Sequence, residues 1–283
     1  MTVTSYFLPN SLSEALSVLE AHGASLLVMA GGTVAMPLIN EGISLPEHAM
    51  GLRHAGLDRL QEVGGALDIG ATLTLTRLLQ QRTVPMLSEA ARNTASWSIR
   101  NMGTVGGNLF APPPGGDVAV ALLALDAQLT LTGPAGRRVV PLSEFYTGFM
   151  TNVLHDDELL TGIHVPAVVG ETSYVKFGRK HANTPSVVTV GVRVTRRDGT
   201  VTDARIALGA AGPHPTLARQ AERVIVGSTL GAEAVDEAAD AAARECDPFS
   251  DGVASEWYRR RMVRLFVRRA LQRLQEPVVR EGQ

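Results

Sequence analysis

Between Ile99 and Asp117 the chain reads "IRNMGTVGGNLFAPPPGGD", with Gly103, Gly106, Gly107, Gly115 and Gly116 around three consecutive prolines. A second small-residue stretch, "VMAGGTVAMP", lies far upstream at 28–37. Glycine at a turn permits positive φ and removes the Cβ that would block a close approach. A row of such residues presents consecutive backbone N–H groups, which together form a concave donor site for an anion. A helix start behind the row adds partial positive charge. Two loops of this kind suit a diphosphate. The alternative is two structural turns in a glycine-rich fold, and the anion-binding reading is favoured over it. Neither is a Walker loop, because no Lys-Ser or Lys-Thr closes a G-x-x-x-x-G segment, and neither matches G-x-G-x-x-G.

The pattern around the loops predicts an α+β chain. "SLSE" at 11–14 has the form of a capping box, followed by a stripe of Leu12, Ala15, Leu16 and Leu19 that stops at Gly23. "SLLVMA" (25–30) is a short apolar run feeding Gly31-Gly32, with a helix expected from about Thr33. "LDRLQEVGGALDIG" predicts two strands joined at Gly64-Gly65, and "TLTRLLQQR" and "PMLSEAARNTAS" predict helices. "VAVALLALDAQLTLTG" is apolar enough for a buried helix running into a strand, and "LTLTGPAGRRVVP" for a hairpin. "ELLTGIHVP" and "SYVKFGRK" are expected strands, and "SVVTVGVRVTRRDGTVTDARIALGA" alternates around Asp198-Gly199 as a hairpin. Ala-rich and Arg-rich helices are expected from there to the end, behind a boundary near residue 172. The order lacks the regular βαβ alternation of a doubly wound fold.

Composition narrows the function classes. A chain of 283 residues with 45% hydrophobic and 19% charged residues is globular, with room for two or three modest domains. A formal net charge of −2 gives no field that would gather nucleic acid or anionic membrane. The single cysteine, Cys246, excludes an internal disulfide and a cysteine-ligated zinc or iron–sulfur site within the chain. No apolar run approaches the roughly 18 residues of a membrane span. The first residues lack a basic region followed by an apolar core. The expectation is a soluble cytoplasmic protein. Arginines cluster in "WYRRRMVRLFVRRALQRLQ" (257–275), where Met262, Leu265, Phe266, Ala270 and Leu274 fall at helical spacing. That leaves the arginines on the opposite face, as a solvated surface or as a docking surface for a partner.

"AGGTVAMPLI" (30–39) and "SIRNMGTVGGNL" (98–109) together resemble the signature of the FAD-binding medium subunits of molybdenum hydroxylases, the xanthine dehydrogenase and carbon monoxide dehydrogenase family. The second match covers Ile99, Arg100, Asn101, Gly103, Thr104, Gly106, Gly107 and Asn108, then Asp117. "DELLTGIHVP" and "YVKFGR" resemble the family in order and spacing, so the likeness spans the chain. It implies a two-lobed, PCMH-like FAD-binding domain (lobes 1–57 and 58–172), then a smaller C-terminal α+β domain of antiparallel sheet and helices (173–283). Ala30, Gly31, Gly32, Thr33 and Val34 would form the first FAD loop, and Thr104, Val105, Gly106, Gly107 and Asn108 the second. Asp117, Leu160 and Lys176 match further FAD contacts. Val34 stands where many members carry Asp, and "FAPPPGGD" replaces a shorter spacer.

The resemblance also implies partners. A large molybdopterin subunit would hydroxylate the organic substrate, and a small iron–sulfur subunit with two 2Fe-2S clusters would relay electrons to FAD in this chain. The expected assembly is a dimer of heterotrimers. Because the cofactor does the redox chemistry, no residue is nominated as catalytic and none as a metal ligand. Lys176 is either an ammonium near reduced flavin, favouring its anionic form, or a strand-edge lysine in solvent. Arg100 could brace the loop, face a partner or touch phosphate. Trp97 could abut flavin, with a packed core position favoured. Asp156, Asp157 and Glu158 form an acidic cluster expected to be a solvated turn. Two rival readings are a self-contained reductase of the UDP-N-acetylenolpyruvylglucosamine reductase kind and a non-catalytic assembly subunit. The first needs a proton donor over the flavin, and no serine or cysteine has a convincing context.

Overall fold

The computed structural model describes residues 3–180 and 183–275. Readings that reach residues 1–2, His181 or the tail from 276 lie outside them. Two compact units divide the chain: one up to Pro112 together with Asp126–Val168, the other Pro113–Leu125 together with the described chain from Val169 onward.

The first unit opens with β1 (Ser5–Phe7), α1 (Leu12–His22), β2 (Leu26–Met29), α2 (Ala35–Asn40) and β3 (His48–Gly51). The three strands form a parallel sheet in the order β1-β3-β2. Ser11 caps α1 by accepting from the Glu14 amide at 3.1 Å, while the Glu14 carboxylate takes the Asn10 amide at 2.8 Å. This is a capping box whose return bond lands one residue early. Ala15 and Leu19 of α1 then pack with Leu26, Met50 and Leu52.

A second sheet follows. β4 (Leu60–Val63) and β5 (Ala66–Gly70) are the expected hairpin, and α3 (Leu75–Gln80), α4 (Pro85–Asn93), α5 (Trp97–Met102) and α6 (Val105–Leu109) come next. The glycine stretch is therefore helical in two short pieces, and not a simple loop. α7 (Asp117–Ala124) belongs to the second unit and is buried along its whole length, as its apolar sequence predicts. The chain then returns to the first unit with β6 (Gln128–Gly133), β7 (Gly136–Pro141), the small pair β8 (Tyr146–Gly148) and β9 (Thr151–Asn152), and β10 (Leu159–Val165). The antiparallel sheet runs β4-β5-β10-β6-β7. Leu160 is buried on β10, opposite Leu131 and beside a bulge.

The second unit adds β11 (Glu171–Gly178), β12 (Ser186–Arg197), β13 (Thr200–Gly209) and β14 (Thr216–Leu217), all antiparallel in that order. Asp198 and Gly199 at φ 52° and 80° make the tight turn between β12 and β13. α7 packs on β12 and β13, with Gly191 and Gly209 facing Val120 and Ala124. α8 (Arg219–Ile225), α9 (Ala232–Glu245) and α10 (Glu256–Gln272) complete the unit.

Two charge readings change. Arg261, Arg264 and Arg269 of α10 are exposed, as the spacing predicts, but the arginine face is not wholly solvated. Arg259 is fully buried and donates to the carbonyls of Ser186, Val187 and Ala210, and to the Asp251 carboxylate at 2.7 Å. Arg264 and Arg268 pair with Asp240 and Asp236 of α9. Arg259 thus pins the helix to the sheet, although sequence periodicity assigns it to solvent. Similarly, Asp156 and Asp157 are exposed, but the Glu158 side chain is buried in a two-pronged ion pair with Arg138 at 2.7 Å.

Two outcomes follow. Arg259→Met takes the guanidinium from three carbonyls and leaves the Asp251 carboxylate, still held by the Val253 and Ala254 amides, without its counter-charge. We expect it to lower the unfolding free energy by about 3–5 kcal/mol, read from denaturant melts. The Arg138 guanidinium holds the Glu158 carboxyl down to about 2, from an ordinary 4.5. A lowered folded pKa contributes stability that is fully present above the unfolded value and fades as pH falls through the folded one. The stability difference between wild type and Glu158→Gln should therefore shrink between pH 4.5 and pH 2.

Candidate functional site: two glycine loops and a threonine-lined cavity

The two glycine stretches meet in the first unit, and their glycines are needed first of all by each other. A Cβ on Gly31 would overlap the Met102 carbonyl oxygen. One on Gly106 would stand 2.6 Å from the Ala71 carbonyl oxygen. Gly32 adopts φ 68°, where L side chains are strained. The close approach that the composition demands is thus chain against chain.

The two loops differ in what they leave for a ligand. In the second, the Val105 amide donates to Leu73 O at 2.8 Å and the Gly106 amide to Ala71 O at 2.9 Å. The Gly107 amide donates to Thr104 Oγ1, and the Asn108 amide to Thr104 O, both at 3.0 Å. The expected row of bare amide donors is spent inside the chain there. Thr104 caps α6 as an acceptor, which leaves its O–H proton to give away. Thr74 does the same for α3, accepting from the Arg77 amide. In the first loop, by contrast, no acceptor among the described residues takes the amides of Gly31, Gly32, Thr33 or Val34. Val34 contributes an exposed apolar side chain where a carboxylate would have stood.

A cavity of about 330 Å³ lies beside these loops, lined by Ala30, Arg53, Asp58, Thr72, Thr74, Arg77, Asn101, Met102 and Thr104. Asp58 pairs with Arg77 at 2.8 Å, and Asn101 accepts from the Thr76 hydroxyl at 2.6 Å. Thr72 is 6% exposed, and its hydroxyl has no hydrogen-bond partner among the described residues. Most lining residues escaped the sequence reading. The available signal was the T-x-T spacing at 72 and 74, directly after a strand, which puts two hydroxyls on one side.

Other predicted residues fall as follows. Arg100 braces the turn between α4 and α5, donating to the carbonyls of Arg92, Thr94 and Ala95. Trp97 is 69% exposed, not packed in the core. Asp117 and Lys176 lie in the second unit, 2.7 Å apart, their side chains only 8% and 7% exposed. Ser186 and Thr189 hydroxyls bond the other carboxylate oxygen at 2.5 and 2.9 Å, and the Tyr174 hydroxyl reaches the Asp117 carbonyl. Lys176 is therefore half of a buried ion pair and not a solvent-edge lysine.

A donor-rich cavity with an orphaned buried hydroxyl, beside a loop whose amides are unspent, fits a ligand bearing phosphates. Residues 2–168 match the family described as the FAD binding domain in molybdopterin dehydrogenase, and residues 172–274 the CO dehydrogenase flavoprotein C-terminal domain. The chain belongs to the FAD-binding subunits of the molybdenum hydroxylases, an oxidoreductase family. Among relatives, the carbon monoxide dehydrogenase medium chain of Hydrogenophaga pseudoflava is 33% identical, covering 94% of this chain and 95% of that one. The medium chain of glyceraldehyde dehydrogenase from Sulfolobus acidocaldarius is 28% identical over 94% and 96%. The solved CO dehydrogenase of Oligotropha carboxidovorans superposes with a TM-score of 0.91 at 32% identity, covering 96% of this chain and 97% of that one. The fold is thus an FAD-binding domain followed by a C-terminal flavoprotein domain, each of mixed helix and sheet.

The loop contact gives a direct test. Gly31→Ala must push the first loop off Met102, and we expect a lower melting temperature together with reduced flavin content of the purified chain.

Proposed function

We propose that this chain is the FAD-carrying electron-transfer subunit of a multi-subunit molybdenum hydroxylase. It takes electrons from 2Fe-2S clusters of a small partner and passes them to an external acceptor, while a large molybdopterin subunit handles the organic substrate. The assembly we propose is a dimer of heterotrimers. The first loop (Ala30, Gly31, Gly32, Thr33, Val34) and the second (Thr104, Val105, Gly106, Gly107, Asn108) would hold FAD, with Leu160, Asp117 and Lys176 as further contacts. The lobes would divide at 57 and 172.

One observation carries this reading: the cavity beside the loops offers donors and a net cationic lining, but no group poised for proton transfer. Its only carboxylate, Asp58, is engaged by Arg77, and it has no serine, cysteine or histidine in its wall. That disfavours a self-contained reductase, which needs a proton donor at the flavin. FAD, when bound, supplies the redox chemistry. The residues of this chain bind and orient it. The Asp117–Lys176 pair fixes the ammonium in place, because removing either partner strands a buried charge.

The purified full-length chain should release FAD on denaturation. Its flavin absorption should bleach on adding organic substrate only when both partner subunits are present. A chain that takes up no flavin from excess FAD, or that alone reduces an acceptor with NAD(P)H, overturns the reading. Lys176→Met should lower the flavin midpoint potential, and an unchanged potential would remove Lys176 from the cofactor's surroundings.

A further inference from the structure

The cavity holds two groups that neither glycine loop accounts for. Thr72 is nine-tenths buried and lines the cavity, and its hydroxyl has no partner among the described residues. A buried hydroxyl without a hydrogen bond is costly, and native chains seldom keep one without a use for it. Arg53 lines the same cavity. It sits in the short turn after β3, and among the described residues its guanidinium has no carboxylate within ion-pair reach. The neighbouring cation, Arg77, is already held by Asp58 through both its carboxylate and its carbonyl. The wall therefore presents one uncommitted cation, one orphaned O–H and the spare O–H protons of Thr74 and Thr104. Every one of these donates and none is balanced by a free carboxylate. Anionic oxygen is the ligand chemistry that satisfies such a set, and a guanidinium is suited to phosphate because its planar fork of donors matches that geometry.

We propose that Thr72 and Arg53 form a phosphate subsite of this cavity: the Thr72 hydroxyl donates to a phosphoryl oxygen, and the Arg53 guanidinium neutralises its charge. The subsite lies outside both glycine signatures. It supplies donors that the second loop cannot, since the amides of Val105, Gly106 and Gly107 are spent within the chain. The proposal rests on the reading of the chain as an FAD carrier, because it gives the phosphate of that nucleotide its place.

The test separates the two ideas. Flavin is stripped from the full-length chain, and FAD and riboflavin are titrated back by fluorescence quenching on wild type, Thr72→Val, Thr72→Ser, Arg53→Gln and Arg53→Lys. Arg53 is exposed, so its variants keep the fold, and Thr72→Val conserves volume while removing the donor. Thr72→Val and Arg53→Gln should each weaken FAD about tenfold, as loss of a hydrogen bond to a charged group does. Riboflavin, which lacks phosphate, should be unaffected. Thr72→Ser should restore FAD affinity, and Arg53→Gln should flatten its dependence on salt, with Arg53→Lys in between. If wild type binds no FAD, the cofactor reading itself fails. If wild type binds FAD and both donor-removing variants bind it equally well, or lose riboflavin in the same proportion, the phosphate subsite is wrong while the cofactor reading stands.

Discussion

The first unit depends on a contact with no side chain in it: Gly31 against the carbonyl of Met102. Because nothing larger than a hydrogen fits there, the turn after β2 and the end of α5 can touch, and a second glycine, Gly106, lets α6 settle on Ala71 in the same way. Three pieces of chain distant in sequence are thereby fixed around one cavity. Glycine carries an entropic cost of roughly 0.5–1 kcal/mol relative to alanine in regular structure. Here that cost is offset by backbone bonds that only this approach permits, such as Val105 to Leu73, Gly106 to Ala71 and Leu75 to Gly103. The second loop spends its amides on this packing, whereas those of the first have no acceptor among the described residues.

The second unit is organised around charge where the first is organised around its absence. Asp117 begins α7 and is buried with Lys176, Ser186, Thr189 and Tyr174 around it. Its backbone and carboxylate tie the helix to β11 and β12 at one end. Arg259 ties α10 to the carbonyls of Ser186 and Val187, so the same strand start is gripped from two directions. Buried ions add little net stability compared with apolar replacements of the same shape, but they tolerate only one geometry. α10 lies on β12, and α9 packs behind it on α8 and α10 through a small-residue face of Val235, Ala238, Ala239, Ala241 and Ala242. The buried ions add directional contacts to that apolar packing.

This contrast explains which features could be read in the sequence. The capping box at Ser11, the turn at Asp198-Gly199 and the apolar run of α7 after Asp117 depend on residues within one turn or one strand of each other, and each appears where the pattern put it. The paired glycine signatures were legible as motifs because they are long. Their physical reason was not legible, because it lies in which carbonyl a distant segment brings: Met102 to Gly31, Ala71 to Gly106. Arg259 shows the same limit. Helical periodicity places it beside other arginines, and only the loop carrying Asp251 and the strand starting at Ser186 make burial of that guanidinium tolerable. Trp97 errs in the opposite direction, a large aromatic left exposed on α5. The parallel order β1-β3-β2 was likewise hidden, since strands of three and four residues carry almost no periodic signal.

The cavity wall is built from donors: hydroxyls, two guanidiniums, a side-chain amide and one carboxylate already engaged by a guanidinium. Asp58 is tied to Arg77, whose amide in turn is held by the cap at Thr74, so the carboxylate is part of the scaffold that orients α3. What remains is a set of donors with fixed directions, which suits an anionic ligand. Relatives named for carbon monoxide and for glyceraldehyde match this chain over nearly its whole length. Under the function proposed above, that breadth has a physical reason: a scaffold that grips a shared cofactor need not change when the substrate handled by another subunit does.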